Sequence, residues 1–206
     1  HCRTVVEATD LPVSADLENG FGDAPEAAAE AIRLAGEVGL AGGSIEDASG
    51  NADQPIYSLA HATERVAAAV AAARALPFAF QLTARAENYL HGRTDLDNTI
   101  ARLQAFEKAG ADVLFAPGLP DLTAVRTVCS ALSKPVNFMS SIPGKSFSVA
   151  ELESAGVRRI SLATSLYRAA MTGLIDAARE VREHGTFGYF DRTTPTGALV
   201  KLMKGD

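Results

Sequence analysis

Asp16, Glu18 and Glu46 are the residues whose types and spacing first suggest chemistry. Asp16 and Glu18 lie in the stretch SADLENGFGD (Ser14 to Asp23), just before a glycine-rich turn. With period 2, Ser14, Asp16 and Glu18 fall on one face of a strand, while Val13, Ala15 and Leu17 fall on the other. Adjacent carboxylates repel each other and lose hydration when enclosed, so the pairing calls for a partner. Glu46, at the end of the next apolar segment GGSIED, adds a third carboxylate. Three hard oxygen donors from two strand ends make a cation site, and Mg²⁺ suits a site with few protein oxygens and several retained waters. The competing reading is solvated loop acids, or acids near a helix start where the macrodipole favours them. A calcium loop of the EF-hand kind fits less well, since Phe21 holds its glycine position and no acid closes a twelve-residue loop.

Further along, Arg85 and Glu87 close the segment FAFQLTARAE. An arginine there can grip a carboxylate or phosphonate in bidentate fashion, which lysine cannot do as rigidly. Glu87 is placed to orient it; the alternative is that Arg85 is only a structural partner of Glu87 or Glu46. Asn137, in PVNFM, can hydrogen-bond a substrate oxygen or satisfy barrel backbone. His91 follows the Arg85 strand, where the choice is between a proton carrier and a solvated loop residue, with the loop reading favoured; His61 and His184 read as helix-surface residues. The run PGKS (Pro143 to Ser146) lacks the first glycine of a phosphate loop, since Met139 stands there. Cys129 sits in an amphipathic helix pattern and reads as packing.

These side chains need a scaffold that brings several strand ends together. Short β-rich segments near 13–18, 43–47, 78–85, 112–116, 135–139 and 159–163 alternate with helical patterns. The helices run from Pro25 to Val38, Ser58 to Ala75, Asp95 to Ala109, Asp121 to Leu132, Val149 to Ala155 and Leu166 to Glu183. Such alternation predicts a parallel sheet, doubly wound or closed as a barrel. No G-x-G-x-x-G turn marks a dinucleotide fold, and polar residues recur near strand C-terminal ends, so the expected fold is an α/β (β/α)8 barrel. Six strands fall short of eight, and HCRTVVEAT reads as the tail of a helix feeding the first visible strand. The expectation is that residues 1–206 form one barrel domain holding strands 3 to 8, with the first two βα units missing from this chain. The segment after the Glu46 strand, Ala48 to Tyr57, mixes glycine, asparagine and proline and is expected to act as a mobile lid. Residues 185–206 read as a C-terminal oligomerisation arm, because Phe187, Tyr189, Phe190, Leu199 and Leu202 need a surface to cover them.

Composition narrows the partners. The 206-residue chain carries a formal net charge of −6, which argues against nucleic acid or an anionic membrane as the main partner. No apolar run approaches the roughly 20 residues that span a bilayer. Two isolated cysteines, Cys2 and Cys129, suit a reducing, cytoplasmic compartment.

At these motifs the chain resembles the isocitrate lyase/phosphoenolpyruvate mutase superfamily, in its phosphonomutase-like branch. SADLENGFGD is similar to that family's D-x-D-x-G-[FY]-G strand and turn, with Glu18 in place of the second aspartate. GGSIED resembles the next strand, whose glutamate reaches the metal through water. TARAENYLHG resembles the segment whose arginine binds substrate, and AFEKAGADVLFAPG and PVNFM resemble the elements that follow. The resemblance implies a Mg²⁺-dependent enzyme that makes or breaks a C–C or C–P bond in a small-molecule 2-oxo acid or phosphonate, through a metal-stabilised enolate. It implies a homotetramer with helix swapping. Asp16, Glu18 and Glu46 would then hold the metal, Arg85, Glu87 and Asn137 the substrate, with Arg85 and Glu46 catalytic. The loop ASGNADQPIYSLAH lacks the cysteine of the family's K-[KR]-C-G-H lyases, which argues against isocitrate or methylisocitrate cleavage. The leading expectation is a lyase or hydrolase of oxaloacetate-like or phosphonopyruvate-like substrates. The alternatives are phosphoenolpyruvate mutase proper, whose loop motif is not matched, and a non-catalytic barrel that binds a 2-oxo acid.

Overall fold

The computed structural model describes residues 1–204. Two compact units divide the chain, one spanning His1–Ser161 and a second from Leu162 onward.

The first unit is a parallel α/β layer. A short helix α1 (Cys2–Val6) precedes β1 (Ser14–Asp16), α2 (Pro25–Glu37), β2 (Gly42–Glu46), α3 (Leu59–Ala75) and β3 (Gln81–Arg85). Next come α4 (Leu96–Ala109), β4 (Val113–Phe115), α5 (Leu122–Ser130), β5 (Val136–Met139), α6 (Val149–Ser154) and β6 (Arg159–Ser161). The six strands pair in sequence order, all parallel. This is the half-barrel part of the expected architecture: β1 and β6 are the two edges and do not pair with each other.

Local signals set the helix starts. Pro25 opens α2, where its missing N–H is not needed. Ser58, Asp95, Asp121 and Ser148 each accept a backbone N–H in the first turn of α3, α4, α5 and α6, and Ser148 forms a capping box with Glu151. The core forms where helix faces meet the sheet. One cluster packs Ile32, Ala28 and Ala35 of α2 and Ala69 and Ala73 of α3 against Ile45 and Leu82. Another packs Leu103, Phe106, Val125 and Val128 against Leu114, Val136 and Phe138. Leu, Ile and Val side chains buried there each contribute about 1.5–3 kcal/mol.

Sequence periodicity overextends several strands. Glu18 lies beyond the end of β1, not on it, so the shared-face argument that paired it with Asp16 is wrong in its geometry. Glu18 instead has φ +50°, and Phe21 has φ +62°, so the chain coils left-handedly out of the strand. Gly20 completes the coil at φ +77°; a Cβ there would meet the Ala28 backbone at 2.8 Å.

The second unit contains α7 (Ser165–His184), a 3₁₀ turn at Gly188–Arg192 and α8 (Thr196–Lys204). None of its described residues is buried, and Leu166, Tyr167, Leu174, Phe187, Phe190 and Leu202 are exposed. Among the described residues, no helix is long and apolar enough to cross a membrane.

Candidate active site

Strand register assembles the site. Glu46 pairs with Arg85, Arg85 with Phe115, Phe115 with Asn137, and Asn137 with Arg159. Parallel neighbours in register present their side chains to the same face, so this row crosses the C-terminal end of the sheet. Asp16 sits two residues back on the same face, in a row with Ser44 and Thr83.

Arg85 is the centre of this group. Its guanidinium forms ion pairs with Asp16, with Glu46 at 3.1 Å and with Glu87 at 2.9 Å. Its carbon lies 5.4 Å from the Phe115 ring centroid, which supplies a cation–π contact. Burial favours neutral Arg85, but Glu87, Asp16 and Glu46 outweigh it and hold the guanidinium above its ordinary range.

The three carboxylates expected to hold a metal do converge. One ligand atom from each of Asp16, Glu18 and Glu46 lies within 4.8 Å of the others. Asp16 is fixed from two sides: Ser44 Oγ donates to it at 3.2 Å and the Glu18 amide at 3.1 Å. The Glu18 carbonyl in turn accepts the Glu46 amide at 3.0 Å, which ties the turn to the end of β2. Burial pushes the Glu46 carboxyl up to about 7, with Arg85 opposing the rise and Glu87, Glu18 and Asp16 adding to it. Glu87 is also raised by burial, against the pull of Arg85. Asp16, Glu18, Glu46 and Glu87 outnumber the one guanidinium among them, so the group can hold a cation or shed charge by protonation. All-oxygen donors at this spacing fit a hard divalent ion.

Other expected residues divide. Glu87 does brace Arg85. Asn137 does not join the carboxylates: its amide donates to Ser161 Oγ at 3.0 Å and accepts from Arg159 at 3.1 Å. It is buried within the β5–β6 pair, in the same register row as Arg85.

Sequence reasoning missed the layer behind the site. Asp47, 2% exposed, accepts the Glu87 amide at 2.7 Å and pairs with Arg102 of α4 at 3.0 Å. Arg102 also donates to the Tyr57 carbonyl at 3.0 Å. No local pattern joins residues 55 apart, although a charged pair embedded in apolar segments is a signal in retrospect. The loop after β2 closes on itself through a bridge between Ala48 and Ile56 and a bond from the Ser49 amide to the Pro55 carbonyl at 2.9 Å. It flanks a cavity of about 460 Å³ lined by Asn51, Tyr57, His61, Arg93 and Arg102 among others, and none of the clustered carboxylates lines it.

The family model for phosphoenolpyruvate phosphomutase matches residues 1–182. A solved structure of a Burkholderia cenocepacia J2315 protein, of unproven lyase or mutase activity, is 53% identical with a TM-score of 0.95. The match covers 98% of this chain and 73% of that one. The 2-methylisocitrate lyase of Escherichia coli K12 is 27% identical over 89% of this chain and 64% of its own length. Oxaloacetate decarboxylase 2 of Pseudomonas fluorescens Pf0-1 is 29% identical over 89% of this chain and 62% of its own. The chain thus spans a little under two thirds of these two relatives.

Proposed function

Because the chain belongs to the phosphoenolpyruvate phosphomutase family, we propose that it is a Mg²⁺-dependent lyase or hydrolase of a 2-oxo acid. The bond broken is C–C or C–P, and the substrate is oxaloacetate-like or phosphonopyruvate-like. The observation that carries this reading is the convergence of Asp16, Glu18 and Glu46 within 4.8 Å beside Arg85.

Mg²⁺ held by Asp16, Glu18 and Glu46 would polarise the 2-oxo group and offset the negative charge that develops as the adjoining bond breaks. Arg85 binds the substrate carboxylate or phosphonate. Glu87 holds its Nε edge and the Phe115 ring its face, and the two Nη groups, paired with Asp16 and Glu46 in this structure, would turn to the substrate once those carboxylates take up the cation. Asn137 offers an amide one strand beyond Phe115. The loop from Ala48 to Tyr57 lies directly after Glu46 and closes the mouth against water.

The same reading joins the β1 and β6 edges through two further parallel strands of a (β/α)8 barrel; unpaired strand edges are otherwise open to wrong pairing. It also makes the protein a cytoplasmic homotetramer, with α7 exchanged between partners. The exposed apolar side chains of the second unit support that assembly.

The deciding experiment is a screen of 2-oxo acids and phosphonates with Mg²⁺ and with EDTA, following pyruvate and inorganic phosphate. Turnover that EDTA abolishes and Mg²⁺ restores is the expected result. Mg²⁺-dependent binding without turnover would turn the reading to a non-catalytic barrel. Absence of both binding and turnover would overturn the reading.

A further inference from the structure

The turn that carries Glu18 is held from behind by one buried guanidinium. Arg65 of α3 is 1% exposed. It donates to the backbone carbonyls of Asn19 and Asp23, to that of Gly22 at 2.7 Å and to that of Ala24 at 3.1 Å. Four carbonyls within six residues therefore converge on one side chain. Burying a guanidinium is costly; the carbonyl dipoles offset only part of that cost, and burial still holds Arg65 below its ordinary range.

Tyr57 completes the arrangement. Its ring lies 4.7 Å from the Arg65 guanidinium carbon. Its hydroxyl donates to Asp23 Oδ1 at 2.6 Å and accepts from Asn19 Nδ2 at 3.2 Å. His61 adds a bond from Nε2 to the Asp23 carbonyl at 2.8 Å, with the proton on Nε2 because a carbonyl can only accept. Tyr57 is also the foot of the loop after β2, and its amide donates to the Asp47 carbonyl at 2.9 Å. One residue thus contacts both the Glu18 turn and the chain directly after Glu46.

We propose that Arg65 and Tyr57 are positioning residues that lock the Glu18 turn to the Glu46 strand, so that the three carboxylates meet at a spacing suited to a cation. The lock rests on the cation reading of the site given above. It has a physical task. Left-handed backbone at Glu18 and Phe21 is unfavourable for residues that carry a Cβ and persists only where surrounding structure enforces it. Without the cradle the turn relaxes, and Glu18 leaves Asp16 and Glu46.

The test uses Mn²⁺ alone as the probe, with free ion followed by electron paramagnetic resonance, on wild type, Tyr57→Phe and Arg65→Lys. Amide exchange is measured in parallel at Gly20 and Phe21, whose N–H groups bond Leu17 O at 2.8 Å and Asn19 Oδ1 at 3.0 Å. Tyr57→Phe keeps the ring over Arg65, so melting should stay cooperative while Mn²⁺ affinity falls about 10-fold, as for outer partners of metal ligands. Exchange at Gly20 and Phe21 should quicken. Arg65→Lys keeps the charge but cannot span four carbonyls, and its losses should exceed those of Tyr57→Phe. If wild type binds Mn²⁺ and Tyr57→Phe leaves either affinity or exchange unchanged, the lock is overturned. If wild type binds no Mn²⁺, the cation reading fails, and exchange alone decides: faster exchange in Tyr57→Phe upholds the lock and unchanged exchange overturns it.

Discussion

Arg85 and Glu46 occupy paired positions on β3 and β2, and Arg85 Nη2 stands 3.1 Å from Glu46 Oε2. Both side chains are almost enclosed, yet Glu46 is the carboxyl pushed up to about 7. The ion pair therefore does not fully offset the desolvation of Glu46. A group in that condition gains from any additional positive charge, and it sits where Asp16 and Glu18 also converge.

Cation affinity should follow the ionisation of Glu46. With its carboxyl pushed up to about 7, Glu46 increasingly carries a proton as pH falls and must lose it to act as a ligand, so Mg²⁺ affinity should fall as pH drops from 8 to 6, by up to about tenfold per unit. Calorimetric titration at several pH values measures this, and Glu46→Gln should bind weakly with a flatter profile. A pH-independent affinity in wild type would contradict it.

Stability without metal should run the other way. The folded carboxyl of Glu46 holds its proton to about 7, against an ordinary value of 4.5, so the folded state binds more protons between those limits. Its contribution is fully present below about pH 4.5 and is lost as pH rises through 7. The raised Glu87 carboxyl acts in the same direction. Melting in EDTA should therefore lose temperature on going from pH 5.5 to 8, and Glu46→Gln should reduce the loss.

Breaking the buried pair behind the site should be severe. Asp47 and Arg102 are 2% and 5% exposed, so Arg102→Met leaves an uncompensated carboxylate in the interior. A loss of roughly 3–5 kcal/mol is expected from urea unfolding. The double variant Asp47→Asn/Arg102→Met should recover part of it. A single variant within about 0.5 kcal/mol of wild type, the range of ordinary surface substitutions, would show that the pair contributes little.

Arg85→Lys tests the substrate role. Lysine keeps one charge but loses the fork that meets Glu87, Glu46 and Asp16 together. With a substrate from the screen, kcat/KM should drop by about 10²-fold or more, the scale seen when a pre-aligned donor is removed. Mn²⁺ binding should persist, which separates loss of substrate binding from collapse of the site.

The second unit should be an assembly surface. Phe187, Phe190, Leu199 and Leu202 are exposed on this chain, and so many large apolar side chains within a short segment suit a surface that another subunit covers. Light scattering is expected to report an oligomer at micromolar concentration, and Phe190→Asp with Leu202→Asp should shift it to smaller species. A wild-type monomer would refute the assembly.

Residue order alone settled the alternation of strands and helices, because apolar period and capping are local properties. Ser58, Asp95, Asp121 and Ser148 each act within one helical turn of themselves, and Pro25 acts through its own ring. The candidate residues were legible too, since Asp16, Glu46 and Arg85 stand at the ends of recognisable strands. Register, which only the folded sheet decides, placed Arg85 against Glu46 and left Asn137 engaged with Arg159 and Ser161. Period 2 could not anticipate that Glu18 reaches the cluster through a left-handed turn, because that backbone is unfavourable in isolation and is held by contacts from α3. The Asp47–Arg102 pair and the Arg65 cradle join residues more than 40 positions apart. Such contacts depend on how helices dock on the sheet, and no window along the chain contains both partners.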